Sequence, residues 1–262
     1  MDLSVAGKHV FAATGGKTLR PELPTIVFLH GSGMDRTVWT LQTRYFAHHG
    51  RNVMAVDLPG HGASAGPPLD TIEALADWVV ALLDAARLDK AALVGHSLGA
   101  LVALEAASRA PTRVWALALL GVAPRMPVHP DLLAAARAGD HAAIDLVAAW
   151  GYGRRQHLGG HRAPGLWMLG GGIRLLERGP AGGLAASLAA CDAYRGALEA
   201  AKRVRCPTLI VAGAADRMTP VAGANALAAA MEDARVTVIP DCGHMMMVER
   251  PDQTLDAIAE IA

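Results

Sequence analysis

The 262-residue sequence is short of aromatic residues and cysteine, and it has no excess charge of either sign. Each shortage excludes something. Lys and Arg together number 24, as do Asp and Glu, so there is no basic surplus for an electrostatic grip on nucleic acid. Cys191, Cys206 and Cys242 lie far apart, form no Cys-x-x-Cys pair and cannot all pair with one another. That argues against a disulfide scaffold and predicts a reducing, cytoplasmic compartment. No apolar run free of charge, glycine and proline reaches about 20 residues, so no membrane-spanning helix is expected. Met1-Asp2-Leu3-Ser4 is not a basic segment leading into a long apolar core, and no signal peptide is expected. Aromatics make up only 4% of the chain, which leaves packing to aliphatic and small side chains.

What is present is apolar. Hydrophobic residues make up 52% and charged residues 18%, enough to build a sizeable core and to exclude disorder. The length suits one large α/β domain with an inserted subdomain. Val10 to Leu19 predicts two short strands around a turn at Thr14-Gly15-Gly16-Lys17. Buried strands are expected at Thr25–His30, Ala91–His96, Val114–Val122, Pro207–Gly213 and Arg235–Pro240, and Asn52–Gly62 reads as an apolar strand followed by a Pro/Gly turn. Helical spacing falls between them: through Trp39, Leu41 and Phe46; from Ile72 to Leu83 with Asp70 or Thr71 as N-cap; and over Leu98–Arg109, Val221–Met231 and Asp252–Ile261. From about 124 to 200 the β-pattern lapses. Ala-rich helical stretches (Leu132–Ala138, His141–Trp150) alternate there with Gly-rich joints at Gly151, Gly153, Gly159, Gly160 and Gly170 to Gly172. Strands alternating with helices predict a mostly parallel sheet with helices on both faces. Ligands bind at the carboxyl ends of such strands, where His30, Asp57, Ser97, Asp216 and His244 all fall.

Gly95-His96-Ser97-Leu98-Gly99 carries the chemistry. Glycine two residues either side of a serine, between a strand and a helix, makes room for a tight turn that pushes the hydroxyl out above the sheet. The N–H groups at the start of the following helix, Leu98 among them, face a developing negative charge. A serine hydroxyl is a weak nucleophile until a base takes its proton. His244, after the last strand, is a candidate base, and Asp216, after the preceding one, is a candidate for orienting it. The chain order Ser, Asp, His is one of the known triad orders.

The motifs HGSG (His30–Gly33), DLPGHGAS (Asp57–Ser64), GHSLG (Gly95–Gly99), GAADRMTP (Gly213–Pro220) and GHMMMVERP (Gly243–Pro251) stand in that order. In them the chain resembles the α/β-hydrolase superfamily, in its capped esterase, lipase and lactonase-like branch. The resemblance implies an α/β-hydrolase fold with a helical cap inserted after the sixth strand. The core would be 1–123 and 201–262, the cap 124–200. It also implies Ser97 as nucleophile, His244 as general base, Asp216 as its orienting carboxylate, and the N–H groups of Ser32 and Leu98 as oxyanion hole. Gly31, Trp150, Trp167 and Met245 are the candidate substrate contacts. No cofactor, metal, nucleic acid or membrane is implied. The expected partner is a small-molecule ester, and the expected state a monomer or homodimer.

The activity implied is hydrolysis of esters with small to medium apolar acyl groups. Ser97 argues against haloalkane dehalogenases and epoxide hydrolases, which need a carboxylate nucleophile. HGSG keeps C–C bond hydrolases of ring cleavage in view, although Met245-Met246-Met247 stands where these usually have an aromatic. The resemblance is also compatible with an enol-lactonase, a perhydrolase, an acyltransferase or a ligand-sensing receptor. His30 and His96 are expected to be structural, and Asp57 to shape a turn. His157 and His161 have metal-ligand spacing but two glycines between them and no partner carboxylate. Gly15 to Thr18 lacks the earlier glycine of a phosphate loop and is expected to be a hairpin turn.

Overall fold

Eight strands form one sheet in the order β1-β2-β4-β3-β5-β6-β7-β8 in a computed structural model that describes residues 1–157 and 167–262. The strands are β1 (Asp2–Val5), β2 (Lys8–Ala13), β3 (Thr25–Leu29), β4 (Asn52–Val56), β5 (Ala91–His96), β6 (Val114–Leu120), β7 (Thr208–Gly213) and β8 (Ala234–Ile239). The β1–β2 and β2–β4 pairs are antiparallel, and all pairs from β4 to β8 are parallel. Every residue of β3, β4, β5 and β7 is buried, as a central strand covered on both faces requires. Side chains alternate between two cores. Val27, Leu29, Leu93 and Ile210 point to one, and Ile26, Phe28, Val94 and Val211 to the other.

Helices cover both faces: α1 (Thr40–His48), α2 (Ile72–Ala85), α3 (Leu98–Arg109), α4 (Pro130–Ala138), α5 (Ala142–Gly151), α6 (Arg154–His157), α7 (Met168–Glu177), α8 (Gly183–Ala193), α9 (Ala197–Arg203), α10 (Val221–Ala228), α11 (Met246–Glu249) and α12 (Pro251–Ala259). Their sequences explain them. In α2, Ile72, Leu75, Ala76, Val79, Leu82 and Leu83 form one buried stripe, and Thr71 caps the helix by accepting the Ala74 N–H at 3.1 Å. Each large aliphatic side chain in that stripe contributes about 1.5–3 kcal/mol on burial. Helices α4 to α9 all fall between β6 and β7, and the residue 200/201 division lies inside α9.

The structure corrects two local expectations. The hairpin turn is at Ala6-Gly7, both at positive φ, so Lys8 to Phe11 pairs with Asp2 to Val5 and no strand lies between Thr14 and β3. The polar segment Asp2-Leu3-Ser4 carries too little apolar pattern to announce β1. Gly15 to Thr18 is a turn between β2 and a strandless segment rather than a hairpin. Gly170 to Gly172 are no joint, because they lie within α7. A β-carbon on Gly170 would stand 2.6 Å from Trp167 Cζ3, and one on Gly172 would stand 2.9 Å from Tyr152 Cε2. Those glycines admit two aromatic rings against the helix. Gly159 and Gly160 lie outside the described residues.

Candidate active site

Ser97 is the hinge between β5 and α3. Its backbone sits at φ 54° and ψ −116°, a region that L-residues avoid at a cost of about 1–3 kcal/mol. The flanking glycines make this possible. A β-carbon on Gly95 would stand 2.7 Å from Ala100 Cα, and one on Gly99 would stand 2.7 Å from the His30 carbonyl oxygen. Only hydrogen at those positions lets the turn close against α3 and β3. The serine is thereby presented at the N-terminus of a twelve-residue helix.

His244, beyond β8, reaches back toward this hinge. Its Nδ1 is 2.8 Å from Asp216 Oδ2, and both side chains are buried. Asp216 also accepts the N–H groups of Met218 (2.8 Å) and Thr219 (2.9 Å) and the Thr219 hydroxyl (2.7 Å). Burial alone would raise the Asp216 pKa, but His244 and the Thr219 hydrogen bonds outweigh it and hold it at about 2. An ionised carboxylate at Nδ1 fixes the tautomer in which Nε2 is the free, basic nitrogen. Ser97 and His244 line the same cavities, with no direct hydrogen bond between their side chains among the described residues. Catalytic bonds commonly tighten only when substrate is bound.

Ser32, in the loop after β3, lines the cavities at Ser97, and Leu98 follows Ser97 as the first residue of α3. Neither N–H is taken up by a carbonyl or side chain of the described residues, and Leu98 is the first residue of its helix, where N–H groups have no intrahelical partner. Two cavities open from Ser32, Ser97 and His244. One is a narrow cleft of about 40 Å³, walled by Met34, Val147, Leu175, Leu176, Leu184 and Met245. The other, about 280 Å³, is wider and more polar, with Val128, His129, Trp150, Arg217 and Thr219 on its walls. Leu188 and Met218 stand between the two and line both.

The sequence pattern of the alpha/beta hydrolase family matches residues 26–257. The chain belongs to the alpha/beta hydrolase family. It is 32% identical to a pimeloyl-[acyl-carrier protein] methyl ester esterase of Aromatoleum aromaticum, over 91% of this chain and 98% of that one. A protein of the same description from Chromobacterium violaceum is also 32% identical, over 90% and 93% of the two chains. Among solved structures, the enol-lactonase from Burkholderia xenovorans LB400 superimposes with a TM-score of 0.89 at 26% identity, covering 99% of this chain and 98% of that one.

Within this hydrolase, the candidate substrate contacts separate. Met245 lines the narrow cleft and Trp150 the wide cavity. Trp167 does neither: it is 60% exposed and lines an outer groove with Leu41 and Arg178, because its ring packs on Gly170. Gly31 lies behind the cavities, where a β-carbon would stand 2.8 Å from His96 Nδ1. His96 and His30 have backbone duties. His96 Nε2 donates to the His244 carbonyl at 2.9 Å, while His30 donates from Nδ1 to Gly31 O (2.9 Å) and accepts the Leu58 N–H (3.0 Å). Burial pushes both down to about 3, so both are neutral at pH 7. Asp57 binds the N–H groups of Arg36 and Ala63 at 2.8 Å and pairs with the Arg36 guanidinium, which shapes the turn after β4.

Cys191, Cys206 and Cys242 are buried and unpaired, and burial raises the Cys191 thiol to about 12. His157 Nε2 lies 3.1 Å from the Tyr152 carbonyl, and His161 is outside the described residues. Among the described residues, no three His, Cys, Asp or Glu side chains gather into a metal site, and no helix is long and apolar enough to cross a membrane. Sequence reasoning missed Thr219, although the Asp-x-x-Thr spacing is a local capping signal that could have flagged it. It also missed Met34, Leu176 and Leu188, which carry no signal beyond being apolar.

Proposed function

We propose that the protein is a serine hydrolase of carboxylic esters acting through an acyl-enzyme on Ser97. The observation that carries this reading is the Asp216–His244 pair beside a serine held at positive φ at a helix start. In the proposed course, His244 Nε2 takes the Ser97 proton as Oγ attacks the ester carbonyl. The oxyanion is met by the Ser32 and Leu98 N–H groups. His244 then returns the proton to the departing alcohol. A water, deprotonated by His244, attacks the acyl-enzyme, and Ser97 regains its proton as the carboxylic acid leaves. Each oxyanion donor supplies about 2.7–4 kcal/mol of barrier lowering in sites of this kind.

The apolar walls of the narrow cleft favour a small to medium apolar acyl group, with the alcohol side in the wider cavity. Residues 124–200 act as a helical cap in this reading, since α5, α7 and α8 supply Val147, Leu175, Leu176, Leu184 and Leu188 to the cleft. The likeness to an enol-lactonase favours a second reading within the same mechanism, because a lactone is a cyclic ester.

The test is initial rates on p-nitrophenyl esters from acetate to decanoate, with Ser97→Ala alongside. Turnover that disappears in Ser97→Ala supports the mechanism. Rates no higher than those of Ser97→Ala on every ester, and on enol-lactones, would overturn it.

A further inference from the structure

Glu249 is a buried carboxylate that none of these steps uses. It ends α11, is 1% exposed, and has no Lys or Arg within ion-pair distance among the described residues. Arg250, next in sequence, points its guanidinium to the Glu249 carbonyl at 3.4 Å rather than to the carboxylate. The charge is met by backbone. Oε2 accepts the N–H groups of Gly243 and Gly153, both at 3.0 Å, and Oε1 accepts that of Met245 at 3.2 Å.

Those donors belong to two segments far apart in sequence. Gly243 and Met245 flank His244, and Gly153 lies in the joint between α5 and α6. The same joint holds His244 directly, because Gly151 O accepts the His244 N–H at 2.8 Å and that of Met245 at 3.3 Å. Glycine is what lets the segments close on the carboxylate. A β-carbon on Gly243 would stand 2.8 Å from Glu249 Oε1 and 2.9 Å from Gly151 O, and one on Gly153 would stand 3.0 Å from Glu249 Oε2. Val147, Ala148, Gly151 and Tyr152, from α5 and its end, wall the narrow cleft. The wall of that cleft and the backbone of His244 thus share one anchor.

Burying a carboxylate without a cationic partner is costly, and a loop of this length can be closed by neutral acceptors. A carboxylate does what a neutral amide cannot: it accepts from three N–H groups on two segments with both oxygens. We propose that Glu249 is a positioning residue for His244, locking the histidine loop to the α5–α6 joint so that base and cleft wall move as one body. This rests on the serine-hydrolase reading.

The test compares wild type, Glu249→Gln, Glu249→Asp and Asn52→Ala. Asn52 is a buried amide that lines neither cavity and bonds Arg20 and Leu23, so its loss is a control for plain destabilisation. The readouts are Tm, kcat and KM on p-nitrophenyl butyrate, the pH profile of kcat/KM, and the low-field proton resonance of the His244 Nδ1–H. The charged and titratable groups facing this region are Asp216 and His96 beside His244, and Tyr152, Cys242 and Arg250 beside Glu249.

Glu249→Gln is expected to lower kcat about 10- to 100-fold, the scale of a misplaced catalytic group, with KM within about twofold. Its acidic limb moves to lower pH, because a negative charge near the imidazolium is gone, and its low-field proton shifts. Glu249→Asp recovers part of each. Asn52→Ala lowers Tm and moves none of the other three. The proposal is overturned if Glu249→Gln lowers Tm as Asn52→Ala does and leaves kcat, the acidic limb and the proton as in wild type. If Glu249→Gln does not fold, Gly153→Ala, which crowds Oε2, replaces it with the same readouts. The low-field proton needs no substrate. A wild type that hydrolyses no ester therefore removes the serine-hydrolase reading, while the proton still decides whether Glu249 positions His244.

Discussion

Thr219 holds Asp216 with both its backbone and its side chain: the N–H reaches Oδ1 at 2.9 Å and the hydroxyl reaches Oδ2 at 2.7 Å. The hydroxyl oxygen is also 3.2 Å from His244 Nδ1, so it and the imidazole converge on one carboxylate oxygen. Thr219→Val keeps the shape and the backbone bond but loses the O–H. A hydrogen bond to a charged group contributes about 1.5–3 kcal/mol, so kcat is expected to fall about tenfold or more with little change in KM. Steady-state kinetics on a p-nitrophenyl ester check this. An unchanged kcat would mean that Met218 and Thr219 N–H alone keep the carboxylate in place.

Asp216→Asn should be far more severe. The amide preserves the packing but can present its NH₂ to His244 Nδ1, which turns Nε2 into the protonated nitrogen. The comparable change in a serine triad costs about 10⁴ in kcat. Thermal unfolding alongside the kinetics should show a folded protein, separating tautomer loss from collapse.

Two glycines with different surroundings should respond differently to alanine. Gly99→Ala drives a β-carbon onto the fixed carbonyls of Leu29 and His30, and is expected to cost about 3 kcal/mol, the upper end of overpacking, or more. Gly139, at the end of α4, has positive φ but open space around it, so Gly139→Ala costs only about 1–2 kcal/mol of left-handed strain. Urea unfolding of the two variants gives the comparison, and equal losses would refute the steric argument.

Acid should weaken the fold in two stages. His30 and His96 are held neutral by burial, their pKa lowered from the usual 6.5 to about 3. Between those values the unfolded chain binds protons that the folded one refuses, so their stabilisation is complete above about pH 6.5 and declines as pH falls toward 3. Asp216, lowered from 3.8 to about 2, adds stability that is present above pH 3.8 and lost as pH falls through 2. Tm measured from pH 7.5 to 4 should fall steadily, and His96→Gln should flatten the slope. A Tm independent of pH across that range would contradict the buried neutral histidines.

Leu176→Ala should lengthen the preferred acyl chain. Leu176 is buried and lines the narrow cleft. Removing its branch opens space for about two further carbons, each burying about 0.8 kcal/mol of methylene. The kcat/KM optimum along the p-nitrophenyl ester series reads the change directly. An unmoved optimum would place the acyl group elsewhere, with the wider cavity the next candidate.

Much of this molecule is written in short-range pattern. The buried runs of β3, β4, β5 and β7, the stripe of α2 and the Gly-x-Ser-x-Gly hinge depend on residues a few positions apart, so a linear reading recovers them. The meeting of Asp216 and His244 was legible too, because parallel strands bring their carboxyl ends to one edge and both residues lie just past such an end. The hairpin at Ala6-Gly7, the placing of Gly170 to Gly172 within α7 and the outward Trp167 were not. The first is hidden by the weak apolar pattern of Asp2-Leu3-Ser4, and the other two depend on which helix surface the Trp167 and Tyr152 rings meet.

The sequence by itself determined the central strands of the sheet, the strained turn at Ser97 and the placing of Asp216 and His244 past strand ends, because backbone sterics and hydrophobic period act locally. Only the tertiary structure decided that Thr219 shares the Asp216 oxygen, that Glu249 joins Gly153 to Gly243, and that a narrow apolar cleft and a wide polar cavity meet at Ser97. Those contacts close long loops whose partners carry no mark in the chain, and packing alone selects among the many apolar and acidic residues that could have filled the same places.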